Sequence, residues 1–271
     1  MTRAPRILVF DSGLGGLTVF RALAAQRPDA DYVYAADDLG FPYGPKSEVE
    51  VTALVLAALA RLIAHHAPDC VVIACNTAST LVLPVLRARW PEIPFVGTVP
   101  AIKPAAELSQ SRLISVLATP GTVARDYTRD LIEKFAQDCE VTLVGSKYLA
   151  SLAEAHMRGE SVADEEIARE IAPCFVSHDG RRTDAIVLAC THYPLLQDFF
   201  ARLAPWPLRW IDPAPAIARR ADHVISDRFP THAVRDADFV FVFTSGAEPA
   251  PRLLKMIERL REKIGRERAS A

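Results

Sequence analysis

Half of this 271-residue chain is hydrophobic, enough to build the core of one or two domains, and 31 Lys and Arg against 33 Asp and Glu leave a net charge of −2. That balance carries no electrostatic footprint for nucleic acid, so no such partner is expected. Five cysteines, an odd number without a C-x-x-C pair, argue against a disulfide framework or a structural zinc site and fit reduced thiols in a cytoplasm.

The start, Met1 to Arg6, runs straight into an apolar strand, Ile7 to Phe10, without the apolar segment and cleavage site of a signal peptide. Export is not expected. Asp11-Ser12-Gly13-Leu14-Gly15-Gly16 ends that strand, and a helical stretch to about Arg27 completes a βα unit. Tyr32 to Ala36 reads as a second strand, and the Gly and Pro residues of Asp37 to Pro45 forbid regular structure. A helix follows near Ser47 to Ala67. Its most lipid-like part, Val51 to Ala64, carries Arg61 and is too short to span about 30 Å of hydrocarbon, so it reads as a buried helix and no membrane partner is expected. The strand leading to Cys75 comes next. Pro84, Pro91, Pro94, Pro100 and Pro104 then gather around Phe95-Val96-Gly97-Thr98, where a first crossing between two lobes is expected.

Beyond it, Leu113 to Ala118 with Thr119-Pro120-Gly121-Thr122 repeats the first strand and its turn, which puts Thr119 near the position of Asp11. Pro205, Pro207, Pro213 and Pro215 mark the return. Phe239 to Phe243 supplies one more buried strand to the first lobe, and Arg252 to Arg268 reads as a solvated surface helix. The expected fold is α/β, two similar open, mostly parallel-sheet lobes in a pseudo-two-fold relation with the active site in the cleft between them. Residues 1–98 and 208–271 make up a discontinuous first lobe that carries Asp11 and Cys75. Residues 99–207 make up the second, carrying Thr119, Glu154, Cys190 and His192.

One sentence occurs twice in the chain: Asp69-Cys-Val-Val-Ile-Ala-Cys75-Asn-Thr and Asp184-Ala-Ile-Val-Leu-Ala-Cys190-Thr-His192. In each, an acid precedes a Val- and Ile-rich run that reads as a buried parallel strand, and a cysteine with polar followers stands where such a strand hands over to a helix. Open α/β sheets keep their chemistry there. A thiol from each of two facing lobes suits a reaction that needs an acid and a base on opposite faces of a substrate. A free thiol is only a few per cent ionised at neutral pH, and a helix N-terminus shifts it by less than one pKa unit. Neighbours must finish the tuning. His192 lies two residues beyond Cys190, and Asp11 ends a strand expected beside that of Cys75. Cys70, Cys139 and Cys174 read as ordinary small hydrophobes.

The glycine turn invites a dinucleotide reading and fails it. Gly13 and Gly15 fit the first two positions of G-x-G-x-x-G, but Thr18 holds the third, and Asp11 would repel a pyrophosphate. No P-loop motif is present either. What the turn offers is backbone N–H groups that can hold a small carboxylate.

With these motifs in order the sequence resembles the glutamate racemases of the cofactor-independent aspartate/glutamate racemase superfamily. The likeness rests on Asp11-Ser-Gly-Leu-Gly-Gly-Leu-Thr-Val19, Pro42-Tyr43-Gly44 with Lys46-Ser47, Ala74-Cys-Asn-Thr-Ala78, Pro100-Ala-Ile-Lys-Pro-Ala105, Ala118-Thr-Pro-Gly-Thr-Val123, Cys190-Thr-His-Tyr-Pro194 and Phe243-Thr-Ser-Gly246, and covers nearly the whole chain. It implies that Cys75 and Cys190 are the acid/base residues, Cys75 for the D enantiomer and Cys190 for the L. It also implies that Asp11, Ser12, Pro42, Tyr43, Gly44, Asn76, Thr77, Thr191 and His192 hold the substrate, with Thr119 and Thr122 contributing from the second lobe. The auxiliary acid of the family falls on Glu154, although Ala150 and Ser151 stand where related sequences tend to have Val and Pro. Six residues precede the first strand, so control through an N-terminal extension that senses a peptidoglycan precursor is not expected.

The resemblance implies two-base proton transfer at the α-carbon, one thiol charged and its partner neutral, and a supply of D-glutamate for peptidoglycan. No lysine stands in a Schiff-base motif, so no cofactor is expected. Backbone groups and Asn76, Thr77, Thr119, Thr122 and Thr191 must then stabilise the carbanion. Two other classes stay open: a racemase or isomerase acting on aspartate, hydantoins or a similar small acid, and a non-catalytic small-acid binding protein. Self-association into a homodimer is likewise left open.

Overall fold

The computed structural model describes residues 3–230 and 238–248, with Pro251, Lys255 and Glu258 beyond them. The surface helix expected over 252–268 lies outside the described residues apart from Lys255 and Glu258. The first half alternates strand and helix: β1 (Arg6–Asp11), α1 (Leu17–Gln26), β2 (Asp31–Ala36), α2 (Glu48–His66), β3 (Cys70–Ile73), α3 (Asn76–Arg89), β4 (Phe95–Gly97) and α4 (Ile102–Leu108). The alternation resumes with β5 (Leu113–Ala118), α5 (Pro120–Val123), α6 (Asp126–Phe135), β6 (Glu140–Gly145), α7 (Leu149–Arg158) and α8 (Asp164–Ile171). A small hairpin, β7 (Ser177–His178) and β8 (Arg181–Arg182), leads to β9 (Ala185–Ala189), α9 (Gln197–Leu203), β10 (Arg209–Ile211), α10 (Ala214–Ile225) and β11 (Phe239–Phe243).

These strands form two open parallel sheets, one ordered β11-β2-β1-β3-β4 and the other β10-β9-β5-β6. Read from the second strand of each half, the two share one order, with β6-β5-β9-β10 repeating β2-β1-β3-β4. β5 and β9 are buried along their length and β1 from Ile7 onward, as parallel strands covered by helices on both faces must be.

Two details differ from the sequence reading. Phe95–Gly97 is not a crossing but the fourth strand of the first sheet, paired to β3. Arg209–Ile211, assigned from sequence to the first lobe, pairs with β9 and is the corresponding fourth strand of the second sheet. The proline clusters bracket these short strands, because Pro is tolerated beside short strands but not within a ladder, and the chain crosses between the sheets just after each of the two strands. Pro84 and Pro104 lie inside α3 and α4.

Helix α2 opens on a capping box, with the Ser47 hydroxyl accepting from Glu50 N–H and Glu50 reaching back to Ser47. It is the one helix among the described residues long and apolar enough to cross a membrane. Its Val51, Val55, Ala58, Leu59 and Leu62 are instead buried with Leu8, Val71 and Ile73 of the sheet, as in the helix of a folded core.

Candidate active site

The carboxyl ends of the strands of both sheets carry the polar residues singled out in the sequence. Asp11 is the last residue of β1, which lies beside β3, and Cys75 follows β3 as the N-cap of α3. Thr119 follows β5 and caps α5, Cys190 follows β9, and Glu154 projects from α7. After Cys75 an α-helix begins at once; after Cys190 the chain makes a 3₁₀ turn, Tyr193–Leu196, with Pro194 in its first turn.

Around Cys75 the setting is acidic and dry. Asp11 is fully buried, accepting from Gly13 N–H at 3.1 Å and, across the cleft, from the Thr191 hydroxyl at 3.1 Å. Burial pushes its carboxyl up, opposed by the charge of His192 and by these hydrogen bonds. The Cys75 thiol lies 3.7 Å from the Ser12 hydroxyl. Burial first, and then the charge of Asp11, push this thiol up to about 12, against the pull of Ala78 N–H and Ser12.

Cys190 has a cationic neighbour instead. Its Sγ lies 3.9 Å from His192 Nδ1, and His192 Nε2 is 2.8 Å from Glu154 Oε1, which also accepts Leu14 N–H at 2.7 Å. Burial is the largest influence on Glu154 and raises it, but His192, Leu14 N–H and Arg158 together hold it below the usual carboxylate range. On His192 burial acts against the charged ring, and the hydrogen bonds to Cys190 and Glu154 overcome it, so the imidazole sits well above its ordinary value. Gly15 N is 3.3 Å from His192 Nε2. Because Nε2 gives its proton to ionised Glu154, that approach is packing and not donation to the ring.

The glycine turn therefore serves close contact between the halves. A Cβ on Gly15 would stand 2.5 Å from His192 Nδ1 and 2.6 Å from its backbone nitrogen, and one on Gly13 would overlap the Glu154 carboxylate. The turn does hold carboxylates on its N–H groups, Glu154 on that of Leu14 and Asp11 on that of Gly13.

Threonine hydroxyls from the two halves meet between the turns that follow β3 and β5. Thr77 Oγ1 is 3.0 Å from Thr119 Oγ1, which is 3.2 Å from Thr122 Oγ1. Both amide atoms of Asn76 are buried without a partner in the protein. Such a group calls for a polar ligand. Pro42 follows a cis peptide after Phe41, and Gly44 faces Thr119 closely enough that an added Cβ would stand 3.3 Å from its Cβ. Arg158 escaped the sequence reading. It lies 3.6 Å from Glu154 on the same helix, and the i, i+4 spacing was the signal available. So did Tyr34, whose hydroxyl donates to Gly13 O at 2.7 Å from a strand that looks wholly structural. Cys70 and Cys174 are buried in the cores and Cys139 is partly exposed. Among the described residues no group of three or more His, Cys, Asp or Glu could hold a metal ion.

Residues 17–221 match the family described as Asp/Glu/Hydantoin racemase. The chain is 58% identical over 224 residues to the glutamate racemase of Sinorhizobium medicae, covering 83% of each chain. It is 55% identical over 241 residues to that of Agrobacterium fabrum, covering 89% of this chain and 88% of the relative. A crystal structure of Escherichia coli glutamate racemase in complex with L-glutamate and the activator UDP-MurNAc-Ala superposes with a TM-score of 0.85 at 38% identity, covering 95% of both chains. Matches of this extent, on a fold with twin thiols at equivalent strand ends, place the chain in the Asp/Glu/Hydantoin racemase family, among its glutamate racemases.

Proposed function

We propose that the chain interconverts L- and D-glutamate by proton transfer at the α-carbon between two thiols, Cys75 serving the D enantiomer and Cys190 the L. The observation that carries this reading is that each thiol has its own buried partners, Ser12 and Asp11 beside Cys75, and His192 backed by Glu154 beside Cys190.

In the L-to-D direction the Cys190 thiolate takes the α-proton, and the electron pair of the broken C–H bond spreads onto the α-carboxylate. Neutral Cys75 then delivers a proton to the opposite face, and the pair forms the new C–H bond. The reverse direction exchanges the roles. The contact with His192, itself backed by Glu154, suits Cys190 as the base. The neutral state that burial imposes on Cys75 suits the acid. For D-to-L turnover Cys75 must ionise, and the ammonium group of glutamate set against Asp11 offsets the charge that opposes this.

The carbanion is stabilised by donors already in place, Asn76, Thr77, Thr119, Thr122 and Thr191, in a cleft that excludes water as the lobes close on the substrate. Ser12, Pro42, Tyr43 and Gly44 complete the substrate contacts. The proton transfer balances with no cofactor or metal, and all of the assigned residues come from one chain, so it requires no homodimer. Two lobes close on the substrate, the first of residues 1–98 with the chain after Ile211 and the second in between. The reading places the enzyme in the bacterial cytoplasm, supplying D-glutamate for cell-wall peptidoglycan, with no nucleic acid or membrane as partner. Identities of 55–58% to glutamate racemases weigh against aspartate or a hydantoin as substrate and against a non-catalytic binder.

Incubation with L-glutamate in deuterium oxide is expected to give D-glutamate carrying α-deuterium. Cys75→Ala and Cys190→Ala are each expected to abolish racemisation. With an analogue bearing a β-leaving group, which needs only proton removal, Cys190→Ala is expected to eliminate from the D antipode alone and Cys75→Ala from the L alone. Racemisation near the wild-type rate by either variant refutes the two-thiol mechanism, and elimination from the opposite antipodes reverses the assignment of faces.

A further inference from the structure

The Phe243-Thr244-Ser245-Gly246 segment takes no part in proton transfer, yet its hydroxyls converge on the acidic pair that begins the substrate loop. Thr244 Oγ1 donates to Asp37 Oδ1 at 2.5 Å, and Ser245 donates to Asp38 through its N–H at 3.0 Å and its hydroxyl at 2.5 Å. The other Asp37 oxygen accepts the Tyr43 hydroxyl at 2.5 Å. Asp37 is 3% exposed and Tyr43 1%. In such surroundings a hydrogen bond to a charged group is strong and its loss costly. Gly40 closes the turn, donating to Asp37 O at 3.0 Å with no room for a Cβ beside the carboxylate. Just downstream, Gly44 meets the Thr119 turn of the second lobe, where a Cβ on Gly121 would stand 3.2 Å from Gly44 O. Where Tyr43 is held therefore sets where the loop lands.

We propose that Asp37 is a positioning residue for racemisation, bridging Thr244, the residue after β11, to Tyr43 so that the Tyr43–Gly44 segment meets the substrate in register with Thr119. It rests on the reading that Tyr43 and Gly44 contact glutamate. Two hydroxyl donors converge on one side chain, and a carboxylate accepts at both oxygens. An amide keeps the shape and one acceptor while the second hydroxyl turns to accept from it, so Asp37→Asn is the conservative variant.

The test is racemisation kinetics of the full chain carrying Asp37→Ala, Asp37→Asn, Tyr43→Phe, Thr244→Val and the double change Tyr43→Phe/Asp37→Ala. Asp37→Ala and Tyr43→Phe are expected to raise KM for glutamate by about 10- to 100-fold, the range for a hydrogen bond to a charged group, with kcat changed less. The double variant is expected to be no worse than the weaker single, because both break one linkage, and Asp37→Asn to recover most of the loss. Multiplying effects in the double variant, or an unchanged KM in the single variants, overturns the inference. Should Asp37→Ala melt below the assay temperature, Tyr43→Phe with Thr244→Val, which remove far fewer atoms, complete the same cycle. A wild-type chain that turns over no glutamate sinks the functional reading and this inference together; one that does, with unshifted variants, sinks the inference alone.

Discussion

Burial sets the resting state of Cys75. Its thiol stands at about 12 because the site is dry and because Asp11 is charged beside it, in that order. The sign follows for reactivity and for folding. Below the ordinary thiol value of 9.0 the group is neutral in both folded and unfolded chains and adds no pH dependence. Above it the unfolded chain releases the proton first, so stability falls as pH climbs from there toward the folded value. Iodoacetamide, which takes the thiolate, is expected to label Cys75 slowly near neutral pH, with a rate still climbing past pH 9.0; peptide mapping by mass spectrometry reads it. A rate that levels off near that value would show an ordinary exposed thiol. The His192–Glu154 pair runs on a different window. The imidazole is raised on folding, so its contribution is complete below the usual 6.5 and is lost as pH rises through the higher folded value, while that of Glu154, held down on folding, is complete above the usual 4.5 and is lost as pH falls through the lower folded value.

The turn between β1 and α1 shows how one loop serves two ends. Its glycines look like a nucleotide motif, but their positions answer to the second half of the molecule, whose His192 and Glu154 fill the space that Cβ atoms would take. Gly15→Ala is expected to displace His192, because the nearest atoms include the backbone nitrogen of that residue, which cannot swing away. Overpacking of this kind costs about 1–3 kcal/mol, so a lower melting temperature is expected together with a loss of turnover. A variant that melts and turns over like wild type would mean that the turn opens freely in solution. The repeated acids act at the far ends of their strands and only in folding, where Asp69 accepts from Arg3 and Arg6 N–H, and Asp184 from Ser109, Gln110 and Ser111.

Two sheets of one strand order are joined by a chain that leaves the first after β4 and returns after β10. The return is anchored on the back of the first sheet, where Ala214, Ile217, Ala218 and Ala221 of α10 share a core with Leu17, Phe20 and Ala24 of α1. A buried cation fastens it. Arg27 donates to both oxygens of Asp29 at 2.8 and 2.7 Å, to Asp222 on α10 at 3.3 Å and to Phe229 O at 3.0 Å. Arg27→Met is expected to cost about 3–5 kcal/mol, as for any buried pair stripped of one member, and to lower the melting temperature. The active site lies at the other end of the strands, so kcat and KM measured well below the melting point are expected to hold. A variant as stable as wild type would show that apolar packing alone seats α10.

Much of this was legible in the linear chain, because the determinants were local. Val- and Ile-rich runs closed by Gly or by a capping residue mark buried strands feeding helices, and the twin Cys75 and Cys190 motifs name two equivalent places. The fourth strands, Phe95–Gly97 and Arg209–Ile211, were not legible: each is three residues long, too short for a periodicity, and is a strand only because a neighbour supplies hydrogen bonds. The inequality of the two thiols was equally hidden. Their sequence contexts are near copies, and what separates them comes from residues far away in the chain, Asp11 beside one and Glu154 behind His192 beside the other. The sequence alone determines which side chains stand at the strand ends. Charge and burial act through space, so only the tertiary structure decides which of those side chains meet, and with them the protonation of each.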